Sequence, residues 1–163
     1  MRIRDILNPQ AVVLDLPSGS KRDILRALSA PVPHLHAHID ASRLLETLVA
    51  REETSTTAIA DGIAIPHGKV EEGDDVICAF GLSREGVDFE SIDGNPTHLF
   101  FLLVSPGKHP SLHLRWLAHL AVMLKNPELR KALVSAATPE DVLSALESEE
   151  VALAKKEPAV RRT

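Results

Sequence analysis

The sequence predicts an α/β fold: a single layered domain in which helices cover a sheet on both faces. Two observations carry that expectation. Strand-like and helix-like stretches interleave along the chain, as in layered α/β domains. The strand-like stretches are mostly continuous apolar runs rather than alternating ones, which suits a sheet buried on both sides. The 163 residues, 44% hydrophobic and 25% charged, are enough for one domain with its own core. With 3% aromatic residues and no Tyr, that core must be aliphatic.

Taken in order, residues 4–7 read as a short helix stopped by Asn8-Pro9. Residues 11–16, Ala-Val-Val-Leu-Asp-Leu, read as a strand, and Pro17-Ser18-Gly19-Ser20 as a turn. Ser20 is a helix cap for a helix with Ile24, Leu25 and Leu28 on one face, ended by Pro31 and Pro33. Asp40 caps the next helix, which carries Leu44, Leu45, Leu48 and Val49 and ends near Arg51-Glu52-Glu53. Residues 54–57 form a polar loop. Strands follow at 63–65, 76–82 and 98–105, with turn chemistry at 91–96. A long helix is predicted over 110–125, with Leu114, Leu117, Leu120, Ala121 and Leu124 at helical spacing. Asn126-Pro127 breaks it and starts a short helix. Thr138 starts the last helix, with Leu143 and Leu146 inward. Residues 1–150 are thus read as one domain and 151–163 as a flexible tail.

Composition narrows the functions. A net charge of −5 argues against a broad nucleic-acid surface. No apolar run approaches the ~20 residues of a membrane span, and no signal peptide is evident, so a cytoplasmic protein is expected. Cys78 is the only cysteine, which excludes an internal disulfide or a thiolate metal cluster; its apolar context predicts a buried small side chain.

The stretch Ile63-Ala64-Ile65-Pro66-His67-Gly68-Lys69 is the candidate centre. Pro66 fixes one φ angle, and Gly68 permits a sharp turn or a close approach to a ligand. An imidazole is thereby held at a stiff strand end beside a flexible point, with a cation two residues on. Arg51, where a helix enters the loop, Thr56 and Thr57 within it, and His113 in the first turns of the long helix are candidate partners. Histidine, arginine, hydroxyls and a helix start would make a phosphoryl pocket. The bland alternatives are a histidine in a turn, a solvated helix-end arginine and a surface His113. His109 and His113 have the spacing of a zinc pair, but Pro110 stands where zinc peptidases place a catalytic Glu. His34, His36 and His38 share one side if extended, where a transition metal would be an incidental ligand. His98 and His119 have no evident partner. There is no G-x-x-x-x-G-K-[ST] loop for direct use of ATP.

Arg51-Glu52-Glu53, the Thr-rich loop, Asp61-Gly62 running into the His67 stretch, Gly86-Val87-Asp88-Phe89 with Ile92-Asp93-Gly94, and His113-Leu114 occur in an order that resembles one family. It is the enzyme IIA family of mannitol/fructose type in the bacterial phosphoenolpyruvate-dependent phosphotransferase system. The resemblance covers residues 4–146 and is strongest to the nitrogen-regulatory branch. It implies a mixed sheet of about five strands between helices. It also implies that His67 accepts a phosphoryl group from phospho-HPr or its nitrogen-branch relative. His113 would be a second histidine holding the phosphate, Arg51 an arginine of the same pocket, and Gly68 a source of backbone N–H groups. No metal, nucleotide or other cofactor is implied. Where relatives commonly read Ser-Thr-Gly, this chain has Ser55-Thr56-Thr57. The downstream partner would be a regulated protein or, in a sugar-transport role, a separate IIB component; a metal-dependent hydrolase is the remaining alternative.

Overall fold

A computed structural model describes residues 1–157. Its centre is a six-stranded mixed sheet of order β1 (Leu7–Val13), β5 (Ile77–Val87), β6 (Thr97–Pro106), β3 (Ile63–Ala64), β2 (Ala58–Ala60), with β4 (His67–Val70) also paired to β6. After a 3-10 turn at Ile3–Asp5, strand β1 spans Leu7–Val13. The sequence predicts a helix over 4–7 and a strand only from 11, yet the strand runs through Asn8-Pro9. It lies at the sheet edge beside β5 (Ile77–Val87), and its register shifts between Leu7 and Val12. An edge with an irregular register is where a residue lacking an N–H is tolerated.

Helix α1 (Lys21–Ser29) starts at a capping box in which Ser20 and Asp23 satisfy each other's backbone N–H groups. Ile24, Leu25 and Leu28 are buried as predicted. Pro31 and Pro33 end α1 but also open a short helix, α2 (Val32–Leu35), because proline costs nothing in a first turn. His34 is therefore helical, and the three nearby histidines do not share one extended side. Asp40 caps α3 (Ala41–Thr54) by accepting the Arg43 N–H at 2.8 Å.

Strands β2 (Ala58–Ala60) and β3 (Ile63–Ala64) form a hairpin around Asp61-Gly62, whose φ angles are +57° and +77°. Two successive positive φ values are the signature of the hairpin turn that Asp-Gly favours. Strand β4 (His67–Val70) follows Pro66. Both β3 and β4 run parallel to β6 (Thr97–Pro106), with Ile63 opposite Leu99 and His67 opposite Leu103. The turn predicted at Gly68 is absent. Gly68 is a buried strand residue, and a Cβ placed on it would come within 3.1 Å of Thr47 Cγ2 and 3.3 Å of Leu48 Cδ2 on α3. The neighbour that its missing side chain admits is helix α3.

The antiparallel pair β5 and β6 forms the core of the sheet. Strand β5 runs five residues past its predicted end at 82. Helices α4 (Pro110–Met123), α5 (Pro127–Val134) and α6 (Pro139–Lys156) follow. Asn126 caps α5 and Thr138 caps α6. The inward face of α4 is His113, Trp116, Leu120 and Met123, whereas Leu114 is 65% exposed. The predicted stripe through Leu114 is rotated by about one residue, because it weighted leucine over histidine and tryptophan. Helices α1 and α3 pack together against β4, β5 and β6, while α4, α5 and α6 form a second group against β1, β5 and β6. Leu99–Val104 of β6 are at most 1% exposed, as expected for a sheet covered on both faces. Cys78 is fully buried in this core, which raises its thiol pKa far above the usual value.

The tail predicted from residue 151 is helical as far as Lys156, with Ala152 and Leu153 partly buried. Residues 158–163 lie outside the described residues. No helix among the described residues is long and apolar enough to cross a membrane.

Candidate active site

Three elements deliver the site. Strand β3 leads through Ile65 and Pro66 to His67, the first residue of β4. The ladder continues across the proline: the Ile65 N–H donates to the Thr57 carbonyl and the Leu103 N–H donates to the Pro66 carbonyl. The backbone around His67 is thus fixed on both sides. Helix α3 brings Arg51 in its last turn, and α4 brings His113 in its first.

The hydrogen bonds assign the protons on His67. Its Nδ1 lies 2.8 Å from the Ile65 carbonyl oxygen. A carbonyl only accepts, so Nδ1 carries the hydrogen. Nε2 then holds the lone pair, and it accepts the Arg51 Nε–H at 3.2 Å. Arg51 is itself anchored, its Nη1 donating to the Ser55 carbonyl at 3.0 Å. The His67 and His113 rings lie 5.2 Å apart, centroid to centroid, at a tilt of 54°. His113 is 5% exposed, and its Nδ1 sits 2.5 Å from Ser105 Oγ.

Both rings are neutral near pH 7. Burial pushes the His67 pKa below the ordinary imidazole value, against the Ile65 carbonyl, which pulls it up; Arg51 and Lys69 add to the depression, and Glu52 opposes it. His113 is pushed down to about 4, first by burial and then by the positive charge His67 acquires in acid and by that of Lys69. A half-buried neutral imidazole whose lone pair sits beside a guanidinium has the chemistry of a nucleophile facing an anion-holding group.

Of the predicted site residues, the structure brings His67, Arg51 and His113 together. The two loop threonines are turned to other uses. The Thr56 hydroxyl donates to the Phe89 carbonyl at 2.9 Å and accepts the Ala58 N–H at 3.2 Å. Thr57 donates its N–H to Glu52 Oε1 at 3.0 Å and its hydroxyl to Oε2 at 2.6 Å. In the structure these hydroxyls brace the loop. Gly68 adjoins His67, but its lack of a side chain serves the packing of α3.

Sequence reading missed Ser105, Glu52 and Lys21. Glu52 is 6% exposed and also accepts from Lys21 Nζ at 2.9 Å. The Lys21 ammonium lies 4.8 Å from the centroid of the Phe89 ring as well. A glutamate at a helix end reads as solvated, so its sequence neighbours gave no sign of this network. His98 and His119 do have partners: Nδ1 of His98 meets the Ser83 carbonyl at 2.9 Å, and Nε2 of His119 meets Glu150 at 2.6 Å. His109 precedes α4 as its N-cap residue and is exposed. Among the described residues no group of three or more His, Cys, Asp or Glu is placed to hold a metal.

The model of the family described as "Phosphoenolpyruvate-dependent sugar phosphotransferase system, EIIA 2" matches residues 5–149. The chain belongs to this family. Its EIIA domains are phosphoryl carriers that work through a histidine, and the mixed α/β sheet is their fold. The chain is 34% identical to a nitrogen regulatory protein of Bradyrhizobium diazoefficiens, over 90% of this chain and 95% of that one. It is 32% identical to a fructose-specific EIIABC component of Bacillus subtilis, over 88% of this chain but 22% of that much longer protein. Among solved structures, the nitrogen regulatory protein IIA-Ntr of Neisseria meningitidis superposes with a TM-score of 0.82 at 30% identity, covering 88% of this chain and 98% of that one.

Proposed function

We propose that His67 is the phosphoryl carrier of this EIIA domain, with Arg51 and His113 as the groups that hold the transferred phosphate. The observation that carries this reading is the proton assignment. The Ile65 carbonyl fixes the hydrogen on Nδ1, so the only lone pair on the ring is at Nε2, where Arg51 waits.

Transfer requires no further chemistry from the protein. The Nε2 lone pair attacks the phosphorus of a phosphohistidine on the donor, which is HPr or its nitrogen-branch relative. A new N–P bond forms as the old one breaks, and its electron pair returns to the donor imidazole. One phosphoramidate replaces another, so the step runs near energetic balance. Catalysis is then positioning and charge stabilisation. The Arg51 Nε–H, which caps the lone pair at rest, shifts from the ring nitrogen to a phosphoryl oxygen as the bond forms. Its tether to Ser55 keeps the guanidinium at hand. His113 supplies a second donor.

Downstream, we propose a regulatory carrier in the cytoplasm, whose phosphorylation state is read by a partner protein. The support is that relatives matched over nearly their whole length are named nitrogen regulatory proteins. The fructose-specific relative supports a second reading, in which phosphate passes to a IIB component. Incubation with phosphoenolpyruvate, enzyme I and HPr or its nitrogen-branch counterparts should label the protein with an acid-labile phosphate. His67→Ala should abolish the label, and a label that survives would refute the assignment. Rapid onward transfer to IIB domains would favour transport over regulation.

A further inference from the structure

Ser105 occupies the end of β6, is fully buried, and places its hydroxyl 2.5 Å from His113 Nδ1. A neutral imidazole has one N–H and one lone pair, and the partner of one nitrogen decides which of the two the other presents. A serine hydroxyl is able to donate or accept, so the rest of its surroundings must settle the direction. Among the described residues Ser105 Oγ has no other hydrogen-bond partner. If His113 donated from Nδ1, the Ser105 hydrogen would be buried with no acceptor, which is destabilising. If Ser105 donates to Nδ1, both hydroxyl hydrogen and ring lone pair are used. The His113 proton then sits on Nε2, the nitrogen for which no partner exists among the described residues.

We infer that Ser105 is a positioning residue that locks His113 in its Nε2–H tautomer, so that this ring offers a hydrogen-bond donor and not a lone pair to a phosphoryl group on His67. The role in transfer rests on the function proposed above; the tautomer does not. The difference matters because a lone pair facing phosphate oxygens repels them, whereas an N–H binds them. Neutrality of His113 at pH 7 makes the tautomer decisive, since an imidazolium would present N–H groups at both positions whatever Ser105 did.

The test uses two-bond 1H–15N correlation spectra of the unphosphorylated protein with 15N-labelled histidine, at pH 7.5. Wild type should show His113 in the Nε2–H form. In Ser105→Ala that preference should be lost, and phosphorylation of His67 should slow by about 10- to 100-fold. Ser105→Thr, which retains the hydroxyl, should restore both the spectrum and the rate. An Nδ1–H pattern for His113 in wild type would overturn the inference without any variant having to fold. So would an unchanged tautomer in Ser105→Ala, or a changed tautomer with an unchanged rate. Because the spectrum is read before any phosphate is added, failure of the tautomer assignment is distinguishable from failure of His67 as carrier.

Discussion

Arg51 touches His67 Nε2, the nitrogen proposed to receive the phosphoryl group, and its geometry is specific: Nε–H meets His67 while Nη1 is held by Ser55. A lysine has one donor head and cannot make both contacts in that plane. Arg51→Lys should therefore lower the rate of His67 phosphorylation by roughly 10- to 1000-fold while leaving the fold intact, as followed by rapid-quench transfer assays with circular dichroism as control. Thr57 makes the opposite prediction. Its hydroxyl donates to Glu52. Thr57→Gly should cost about 1–3 kcal/mol of stability through the lost bond and the freer chain, yet change the transfer rate only a few-fold. Urea titration and transfer kinetics on the same sample separate the two effects; a large rate loss would return the hydroxyl to the phosphate pocket. His67 also sets a pH limb. Its pKa lies below the ordinary imidazole value, so the lone pair stays available as pH falls through 6.5. The acceptor rate should decline only at more acid pH. At this scale the sequence marked His67, Arg51 and His113 through residue type and motif order. It did not mark Ser105 or Glu52, because a serine before a proline and a glutamate at a helix end carry no signal of burial.

At the scale of elements, the contact between α3 and β4 holds Arg51 over His67. That contact depends on Gly68, where an added methyl would lie 3.1 Å from Thr47 Cγ2 and 3.3 Å from Leu48 Cδ2. Gly68→Ala should destabilise the protein by roughly 1–3 kcal/mol and slow transfer as the helix shifts. Thr47→Ser removes the nearer obstructing methyl, so the double variant should recover part of both losses in thermal and kinetic assays. No recovery would mean that Gly68 acts otherwise than through α3. Most elements were legible: the caps Ser20, Asp40, Asn126 and Thr138 each start a helix, and the apolar runs at 76–82 and 98–105 lie in the two central strands. The misses have physical causes. Asp61-Gly62 is a strong hairpin signal, but its flanking strands are two and three residues long and too short for periodicity to show. Beyond Leu82 the strand β5 turns polar as it leaves the core. Leucine spacing alone misplaced the inner face of α4, whose buried histidine and tryptophan are the less obvious core residues.

At the scale of the whole molecule, the last described helix packs on the first residues. The Ile3 N–H donates to the Glu150 carboxylate, and Arg4 pairs with Glu140 and Glu147, so α6 closes over the start of the chain. The site also carries a cost for global stability in acid. The unfolded chain binds a proton on His113 near 6.5, whereas the folded protein does so only near 4. Between those values the unfolded state holds more protons, so stability is full above pH 6.5 and falls as pH drops toward 4. The integrated loss is on the order of 2–3 kcal/mol. Chemical denaturation at pH 7.5 and 4.5 should show it, and His113→Asn should remove that part of the slope. A slope unaltered in the variant would mean that His113 titrates normally. The carrier role itself turns on which ring nitrogen receives the phosphorus. Long-range 1H–15N and 31P spectra of the phosphorylated protein, labelled at histidine, read that linkage directly. Phosphorus bonded to Nε2 of His67, with Nδ1 still directed at the Ile65 carbonyl, is the expected result. Phosphorus on Nδ1, which would require the ring to break that hydrogen bond and turn, or on any other residue, would contradict it.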